Sequence, residues 1–369
     1  MRAHIIYNYL KPDGSGISIG GVQTYLTNLI PLLKDSGYAI TVYQRATEDF
    51  HLEYDNYDVY GIKDGSKDYQ KMLKTLTSFV FQHINPSSDL LVYGTDFLIK
   101  EHAPCRSIAI QHGISWDVPF SPCSDWRYFR HFLGKCKDSW NIIRRINKVD
   151  QLVCVDYNFV NWHRAISPYT RTKHVVIPNF TAIPPSMPQK NEQAVRIIFA
   201  RRLFTYRGTR LFADVAARLL EEHHDISITI AGTGPDEEYM RQKLSKYPQV
   251  AFCTYNSGES LQIHEDKDIA VVPTLGSEGT SLSLLEAMAS GCAVICTNVG
   301  GMTNIILDGY NGCIINPEED ELHAALTSLI EDRDKRMKLQ QNAYNSVKEA
   351  FSLEKWQRRW LQVIHQNTR

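Results

Sequence analysis

The chain has 369 residues, of which 43% are hydrophobic and 22% are charged, and its formal net charge is −1. These values are typical of a globular protein, and the length suits two domains of roughly 100–200 residues each. No apolar run approaches the roughly 18 residues that a membrane-spanning helix needs, and Met1–Ile6 resembles a first strand rather than a signal peptide. Eight cysteines without metal-ligand or CxxC spacing favour a reducing, cytoplasmic location.

The first half of the chain alternates predicted strands and helices. His4–Leu10 predicts a strand, and Val22–Lys34 predicts a helix with apolar residues at helical spacing. Further apolar runs are typical of buried parallel strands: Ala39–Tyr43, Leu90–Tyr93, Ser107–Gln111 and Leu152–Val155. Such alternation predicts an α/β domain built on a parallel sheet.

A proline-rich, polar stretch separates this half from a second α/β region. The alternation then restarts in eight segments: Val195–Ala200, Arg210–Glu222, Ser227–Ala231, Asp236–Lys246, Val250–Cys253, Ile269–Pro273, Ala293–Thr297 and Gly312–Ile315. We therefore predict domains at 1–182 and 194–352, joined by a linker at 183–193. The amphipathic segment 353–369 predicts a terminal helix, and the first domain is one candidate for the surface that it covers.

The most specific chemical signal is a pair of glutamates eight positions apart. Glu278 lies in a loop after a predicted strand, and Glu286 lies in the helix that follows. Thr280 and Ser281 offer capping hydroxyls before the helix continues from Leu282. A helix N-terminus at the carboxyl edge of a sheet is an anion site. Because one glutamate precedes the helix and the other lies about two turns into it, one carboxylate can reach the distal part of a ligand and the other a hydroxylated part such as a ribose. The alternative is a surface loop with a solvated helical glutamate.

A basic turn follows the strand Val195–Ala200. It contains Arg201, Arg202 and Arg207, with Gly208 directly after them. Guanidinium groups at the carboxyl end of a strand suit a diphosphate, and the glycine allows close backbone approach. A solvated basic turn is the alternative.

Two weaker signals lie in the first domain. Gly20 and Gly21 open the first helix, where a helix N-terminus can cradle a phosphate or a sugar ring. A turn that needs a positive φ explains the same pair equally well. His112 follows the strand Ser107–Gln111, at the edge where open α/β sheets bind ligands, although a lone histidine is often structural.

Together these residues resemble the retaining glycosyltransferases of family 4, which have the GT-B fold. The resemblance covers nearly the whole chain, from Gly20-Gly21 through Pro178-Asn179 and the basic turn to the paired glutamates and the later segment 300–312. It implies an α/β protein with two Rossmann-like parallel-sheet domains that face a cleft, the first for the acceptor and the second for the nucleotide sugar.

The resemblance also implies roles for single residues. Glu278 would lie against the donor sugar and His112 beside the reacting bond, so both are candidate catalytic residues. Arg202 and Arg207 would neutralise the diphosphate, and Glu286 would hold the ribose hydroxyls. The remaining donor-binding positions are Gly20, Gly21, Thr280, Ser281, Leu282, Gly232 and Tyr255.

The implied activity is transfer of a sugar, with retention and without a metal cofactor, from a UDP-, GDP- or dTDP-linked donor to a glycan or lipid-diphosphate acceptor. Bacterial surface-polysaccharide assembly is the expected setting, with no nucleic-acid partner. Three features depart from the family pattern: Thr280-Ser281 replace an aromatic residue and a glycine, Arg207 replaces a lysine, and the loop before Gly20 is long.

Three rival functions are weighed against this expectation. A phosphorylase or a nucleotide-sugar epimerase would share the fold. A dinucleotide-dependent oxidoreductase would need Gly-x-Gly-x-x-Gly after the first strand, but Gly14-Ser-Gly16 is followed by Ile19 at the third position. A non-catalytic nucleotide-sugar binding protein would be free to lose the glutamates and arginines that are present here.

Two charged features remain. Between Arg127 and Lys148 there are seven lysines or arginines against one acid, and six of the seven fall on one arc of a predicted helix beside an apolar arc, with Gly134 as a candidate break. Either the apolar arc packs on the first domain, or the basic arc docks on anionic lipid or a lipid-diphosphate acceptor. The Asp266/Asp268 and Asp332/Asp334 pairs are interpreted as solvated carboxylates rather than metal ligands.

Overall fold

A computed structural model describes residues 1–18, 20–63, 65, 68–117, 125–167, 170–190 and 194–366. The described chain divides into two compact units, the first containing 1–112, 125–177 and 357–366, and the second containing 113–117 and 178–356. The division after Ile177 falls slightly before the predicted boundary at residue 182. The part of the predicted linker that is described, 183–190, belongs to the second unit.

The first unit is built on an eight-stranded sheet. Its strands are β1 Arg2–Ile6, β2 Ala39–Ala46, β3 Phe50–Tyr54, β4 Tyr57–Lys63, β5 Leu90–Tyr93, β6 Arg106–Gln111, β7 Gln151–Cys154 and β8 Lys173–Val176. Their order is β3-β4-β2-β1-β5-β6-β7-β8. All neighbours pair in parallel except β3 and β4. The helices are α1 Gly21–Asp35, α2 Tyr69–Phe81, α3 Asp125–Ile146 and α4 Tyr157–Ile166.

The antiparallel pair β3–β4 is a hairpin that the sequence analysis did not predict. Its two turn residues, Asp55 and Asn56, both have left-handed backbone angles, with φ of 49° and 61°. Aspartate and asparagine tolerate this conformation, and two such residues in succession fit the tight turn that joins antiparallel strands. An Asp-Asn dipeptide between two runs with alternating polarity was the available signal.

The C-terminal helix, Leu353–His365, ends in the first unit. Trp360 is fully buried, and its indole nitrogen donates a hydrogen bond to the Tyr25 hydroxyl at 2.7 Å. The Arg106 guanidinium donates to the carbonyls of Val363 and Ile364. These bonds satisfy carbonyl groups at the end of the helix that have no partner within it.

The second unit repeats the doubly wound pattern with six parallel strands. They are β9 Val195–Ala200, β10 Ile226–Ala231, β11 Val250–Cys253, β12 Ile269–Val272, β13 Ala293–Thr297 and β14 Cys313–Ile315, in the order β11-β10-β9-β12-β13-β14. The helices are α5 Thr209–Glu222, α6 Glu237–Leu244, α7 Gln262–Glu265, α8 Leu282–Ala289, α9 Glu319–Glu331 and α10 Arg333–Ala350.

Strand β9 shows why both faces of this sheet are covered. Ile197 and Phe199 enter one buried apolar cluster, whereas Ile198 and Ala200 enter another on the opposite face. Successive side chains of a strand point to opposite faces, so a strand apolar at every position needs helices on both sides.

Both sheets reverse their strand order once, between β1 and β5 and between β9 and β12. The loops on either side of such a reversal leave in opposite directions, which opens a crevice at the carboxyl ends of the strands. Each unit therefore has one preferred edge for a ligand. In the described residues, no helix is both long enough and apolar enough to cross a membrane.

Candidate functional site

A buried ion-pair cluster lies at the reversal point of the second sheet. Arg201 directly follows β9, and Glu278 lies in the loop that follows the neighbouring strand β12. The Arg201 Nη2 atom lies 2.7 Å from Glu278 Oε2, and an Arg207 nitrogen pairs with the same oxygen. Thr274 also donates to Glu278 Oε2, at 3.0 Å, and accepts a hydrogen bond from Arg201 Nη1 at 2.6 Å.

The electrostatic balance of the cluster keeps all three charged groups ionised. Burial opposes ionisation of Glu278, but Arg201 and Arg207 outweigh it and hold the pKa of the carboxyl below its ordinary value. Burial lowers the pKa of Arg201, which nevertheless stays charged as arginine does in proteins. Two cations therefore face one carboxylate, and the cluster has a surplus of one positive charge.

The backbone around the cluster is tightly constrained. Ser277, next to Glu278, has a left-handed φ of 56°, which is strained for a residue with a side chain. At Gly208 the φ is 78°, and a Cβ atom would lie 1.8 Å from the Pro273 carbonyl oxygen. Only glycine fits there, because the turn that carries Arg207 packs directly on the end of β12. The backbone conformation of these loops therefore fixes the positions of the two arginines relative to the glutamate.

The structure selects Arg201 rather than Arg202 as the partner of Arg207. Arg201 is 8% exposed, whereas Arg202 is exposed and its guanidinium lies over the Phe204 ring, 5.6 Å from the centroid. Adjacent residues at the end of a strand point in opposite directions, so the two cannot both enter the cluster. The basic turn as a whole was predicted from the sequence to bind a diphosphate, but the resemblance implied this role for Arg202 and Arg207 and not for Arg201.

Glu286, the second glutamate of the pair, lies within α8. Burial raises the pKa of its carboxyl to about 7. The Tyr255 side chain interacts electrostatically with both Glu286 and Arg201, and burial together with the nearby Glu286 raises the pKa of Tyr255 to about 12. The two glutamates thus differ in pKa, since ion pairs lower the pKa of Glu278 and burial raises that of Glu286 to about 7.

The segment between the glutamates forms the start of α8. Ser281 is the N-cap residue and Leu282 the first helical residue, as the sequence predicted, although the Ser281 hydroxyl contacts Ser283 rather than capping the backbone. Thr280 and Ser281 are both buried. The Asn179 side chain donates to the Thr280 carbonyl at 2.6 Å, which holds the loop from the side of the Pro178-Asn179 segment.

Gly232 follows β10 and supports the arginine turn. Its φ is 141°, and a Cβ atom would lie 2.2 Å from the Arg201 carbonyl oxygen. The Arg201 N–H donates to the Ala231 carbonyl at 3.0 Å. A side chain at position 232 would therefore displace the backbone of Arg201, which makes this glycine a support of the cluster.

His112 lies at the end of β6 in the first unit. Its Nε2 atom lies 3.0 Å from the Gly94 carbonyl oxygen, and its ring meets the Tyr25 ring edge-on at a centroid distance of 5.3 Å. Burial lowers the pKa of His112 to about 4, so the ring is neutral at neutral pH. Because a carbonyl only accepts, Nε2 carries the proton and Nδ1 is left as an acceptor.

Gly20 and Gly21 lie where the sequence placed them, at the opening of α1. Gly20 is the N-cap residue and accepts a hydrogen bond from the Thr24 N–H at 3.0 Å, and Gly21 is the first helical residue and is exposed. The Gly20 φ of 172° is extended backbone, so the alternative of a turn requiring positive φ is wrong for this residue.

Helix α3 contradicts one prediction about the basic segment. It is a continuous helix through Gly134, so the predicted break is absent. Only the end of its apolar arc is covered, because several large apolar side chains before that end are exposed: Phe129, Phe132, Leu133 and Trp140, together with Trp126. Ile142, Ile143 and Ile146, near the end of the helix, are the buried members.

The aspartate pairs are held by protein groups. Asp266 forms salt bridges with Arg196 and Lys267, and Asp268 accepts from the Arg196 N–H at 2.9 Å. Asp268 is 5% exposed, which corrects its interpretation as solvated, while Asp332 is an exposed N-cap of α10. Among the described residues no three His, Cys, Asp or Glu side chains gather in a way that could hold a metal ion.

Comparisons with known sequences match the second unit. Residues 185–346 match the family model "Glycosyl transferases group 1". An uncharacterized glycosyltransferase of Methanocaldococcus jannaschii is 26% identical over 177 residues, which are 45% of this chain and 44% of that protein. A D-inositol 3-phosphate glycosyltransferase of Corynebacterium urealyticum is 27% identical over 157 residues, 39% of this chain and 37% of that protein. The matches therefore span less than half the length of these curated relatives, and they confirm a resemblance to group 1 glycosyltransferases.

Comparisons of structure cover both units. A sucrose-phosphate synthase from Thermosynechococcus elongatus has a TM-score of 0.77 at 16% identity, over 98% of each chain. The HepE protein of Anabaena, solved in complex with UDP, has a TM-score of 0.71 at 14% identity, over 99% of each chain. These similarities confirm the predicted α/β fold of the GT-B class, with two parallel-sheet units.

Proposed function

We propose that this chain, whose residues 185–346 carry a group 1 glycosyltransferase domain, transfers a sugar from a nucleotide-diphosphate donor to a hydroxyl-bearing acceptor. The observation that carries the proposal is the buried Arg201–Glu278–Arg207 cluster at the reversal point of the second sheet. Such a point is where doubly wound sheets bind nucleotides, and the surplus positive charge of the cluster matches a diphosphate.

The arginines retain capacity for a ligand. Arg201 Nε is buried and has no hydrogen-bond partner among the described residues, and a buried donor left unpaired costs about 1–3 kcal/mol. Phosphate oxygens would supply the missing acceptors. In the transition state the leaving diphosphate gains negative charge, and preorganised cations stabilise it.

Separate roles for the two glutamates follow from their surroundings. Glu278 lies in the strained loop beside the arginines, so it would accept hydrogen bonds from the sugar next to the diphosphate. Glu286, which interacts electrostatically with Tyr255, would accept hydrogen bonds from the ribose hydroxyls once ionised. The start of α8 would contact the donor between the two glutamates, through Thr280, Ser281 and Leu282.

In the first unit, His112 would contact the transferred sugar. Its neutral ring offers Nδ1 as an acceptor for a sugar hydroxyl and does not act as an acid at neutral pH. Gly20 and Gly21 would offer backbone N–H groups at the start of α1 to a substrate.

We propose that the transfer retains the configuration of the sugar and requires no metal. A carboxylate held by two arginines is a weak base and a poor nucleophile, which disfavours a covalent intermediate on Glu278. In the route that we propose instead, the bond from the anomeric carbon to the phosphate oxygen breaks while the acceptor oxygen bonds to the same face of that carbon. The acceptor proton passes to the departing phosphate oxygen. The arginines would take the charge-neutralising role that a divalent ion has in other transferases.

The donor and the setting are also proposals. UDP is the first nucleoside diphosphate to test as the donor carrier, because structural neighbours such as HepE were solved with it. GDP and dTDP follow. The proposed acceptor is a glycan or lipid-diphosphate in bacterial surface-polysaccharide assembly, such as O-antigen, capsule or exopolysaccharide. The protein would then act in the cytoplasm, at the inner face of the plasma membrane.

A donor screen tests the proposal and its rivals. Release of nucleoside diphosphate from each nucleotide sugar is measured with and without a panel of sugar and lipid-linked acceptors. A transferase gives release that depends on the acceptor, an epimerase gives a new nucleotide sugar without acceptor, and a phosphorylase requires inorganic phosphate. Tight binding of a donor with no release under any condition would instead indicate a non-catalytic binding protein.

A further inference from the structure

Helix α3 presents a row of large apolar side chains to solvent. Trp126, Phe129, Leu133 and Trp140 are between 49% and 67% exposed. At about 100° per residue they fall within about 60° of one another around the helix axis. We call these four residues the aromatic arc. From 126 to 141 no side chain of the helix is buried, so this larger part of α3 leaves its apolar side uncovered in the described chain.

A row of cations runs directly beside the aromatic arc. Arg130, Lys137 and Arg144 are exposed and fall within about 40° of one another on the same helix. Tryptophan and phenylalanine next to arginine and lysine, on one side of a helix, is the pattern of helices that lie in the headgroup region of a bilayer.

The cations continue into a concave basin of about 560 Å³ in the first unit. Ten residues line it: Gln70, Phe97, Ile99, Lys100, Lys137, Asp138, Asn141, Arg144, Arg145 and Lys148. Five of them are cationic and Asp138 is the one acid. Within the described residues, none of the five cations forms a salt bridge, so the basin has a large positive surplus.

The basin is preorganised by contacts with uncharged groups. Lys148 Nζ donates to the Lys100 carbonyl, and Lys100 Nζ donates to Gln70 Oε1, each at 2.7 Å. The Arg145 guanidinium lies over the Phe97 ring, 4.8 Å from the centroid, and its Nε atom is buried without a partner among the described residues. Burial, Lys100 and Arg144 lower the pKa of Lys148, as expected where like charges crowd. Phosphate oxygens would relieve that crowding.

We propose that α3 docks the protein on an anionic membrane: the aromatic arc enters the headgroup region, and the basin binds a lipid phosphate. The proposal deepens the proposed function by naming the surface at which a lipid-linked acceptor would be met. It also extends the sequence-based hypothesis, in which the basic arc alone made the contact, since here the apolar side chains insert as well.

Co-sedimentation of the full chain with phosphatidylcholine vesicles, with and without phosphatidylglycerol, tests the docking surface. We expect binding only to the anionic vesicles. The pair Lys137→Ala with Arg144→Ala should weaken binding about five-fold per cation removed. The pair Phe129→Ser with Leu133→Ser should weaken it at least as much. Control variants on the second unit, Lys246→Ala with Lys338→Ala and Leu307→Ser with Met337→Ser, remove two exposed cations or two exposed apolar side chains and should bind as the wild type does.

Three outcomes would overturn the proposal. Equal binding to neutral and anionic vesicles would remove the role of the basin. The basin would be a site for a soluble anion if the wild type bound free pyrophosphate but not vesicles, and the double variant Lys137→Ala/Arg144→Ala lost pyrophosphate binding. If the wild type self-associates without binding vesicles, and the double variant Phe129→Ser/Leu133→Ser does not self-associate, the aromatic arc is a contact between copies of the chain. Nucleotide binding by the same variants, measured by calorimetry, keeps this test separate from that of the proposed function, because it should stay unchanged if only docking is lost.

Discussion

Arg201 and Glu278 form a buried salt bridge of 2.7 Å although 77 residues separate them in the chain. The contact exists because β9 and β12 are neighbours in the sheet, and the two residues leave the carboxyl ends of those strands side by side. A buried pair of this kind costs desolvation and contributes little net stability by itself. Its more important consequence is geometric, since it fixes two cations and a carboxylate at the edge where we place the diphosphate and the sugar.

The first prediction concerns Glu278→Gln, which nearly preserves shape but leaves two buried arginines without their counter-charge. Removing one partner of a buried pair costs about 3–5 kcal/mol, so the ligand-free melting temperature should fall by several degrees. Nucleoside-diphosphate affinity should stay within a few-fold or increase, because the arginines become more available, while turnover falls heavily. Calorimetry and steady-state rates give both quantities. A loss of nucleotide affinity beyond ten-fold would show that Glu278 is placed at the wrong part of the donor.

The second prediction separates two adjacent arginines. Arg201→Met and Arg207→Met each remove a cation from the cluster, and we expect each to weaken nucleoside-diphosphate binding by about 1.5–3 kcal/mol, or 10- to 150-fold. Arg202→Met is the matched control and should change affinity less than about three-fold, because this side chain is exposed over Phe204. If Arg202→Met proves the more harmful change, the side chains rearrange when the donor binds, and the assignment from the sequence is the correct one.

Much of the fold could be predicted from local sequence, because buried parallel strands are short continuous apolar runs. Leu90–Tyr93, Val195–Ala200, Val250–Cys253 and Ala293–Thr297 have the predicted bounds. The β3–β4 hairpin was missed because its strands are mostly half-exposed, so they carry no apolar run, and only the Asp-Asn turn marks it.

The candidate site was predicted as a set of segments but not in its detail. Glu278, Arg207 and Gly208 meet as expected, yet the choice of Arg201 over Arg202 depends on which side of β9 each points to at the strand end. For α3, helical spacing predicted an apolar arc correctly but could not tell how much of that arc the protein covers. The extent of coverage depends on tertiary packing, which buries the isoleucines at the helix end and leaves the aromatic residues before them exposed.

The third prediction is that turnover survives excess EDTA. The charge of the diphosphate is assigned to Arg201, Arg207 and the start of α8, so no divalent ion is required for the leaving group. Rates are measured on the purified chain after chelation and again after adding magnesium or manganese. Complete loss on chelation with recovery on adding metal would overturn the assignment, and a modest change confined to the donor KM would indicate only that the metal binds the free nucleotide.

The last prediction uses the raised pKa of Glu286. In the ligand-free protein its pKa is about 7, so the carboxyl is mostly protonated at pH 6 and mostly ionised at pH 8. Two ribose hydroxyls donate to a carboxylate better than to a carboxylic acid, so the bound state favours ionisation. Nucleoside-diphosphate affinity should therefore rise about ten-fold from pH 6 to pH 8, with proton release on binding below pH 7.

Glu286→Gln supplies the control for this pH dependence. It cannot ionise, so any slope that it keeps belongs to the nucleotide phosphate itself, and the difference between the two proteins isolates the carboxyl. The sign for stability is opposite: a carboxyl whose folded-state pKa lies above its unfolded value stabilises the ligand-free protein at low pH and loses that contribution as the pH rises through 7. The melting temperature of the wild type should thus fall relative to Glu286→Gln between pH 5 and pH 8. Calorimetry in buffers of different ionisation enthalpy measures the released protons, and parallel affinity curves for the two proteins would show that Glu286 does not hold the ribose.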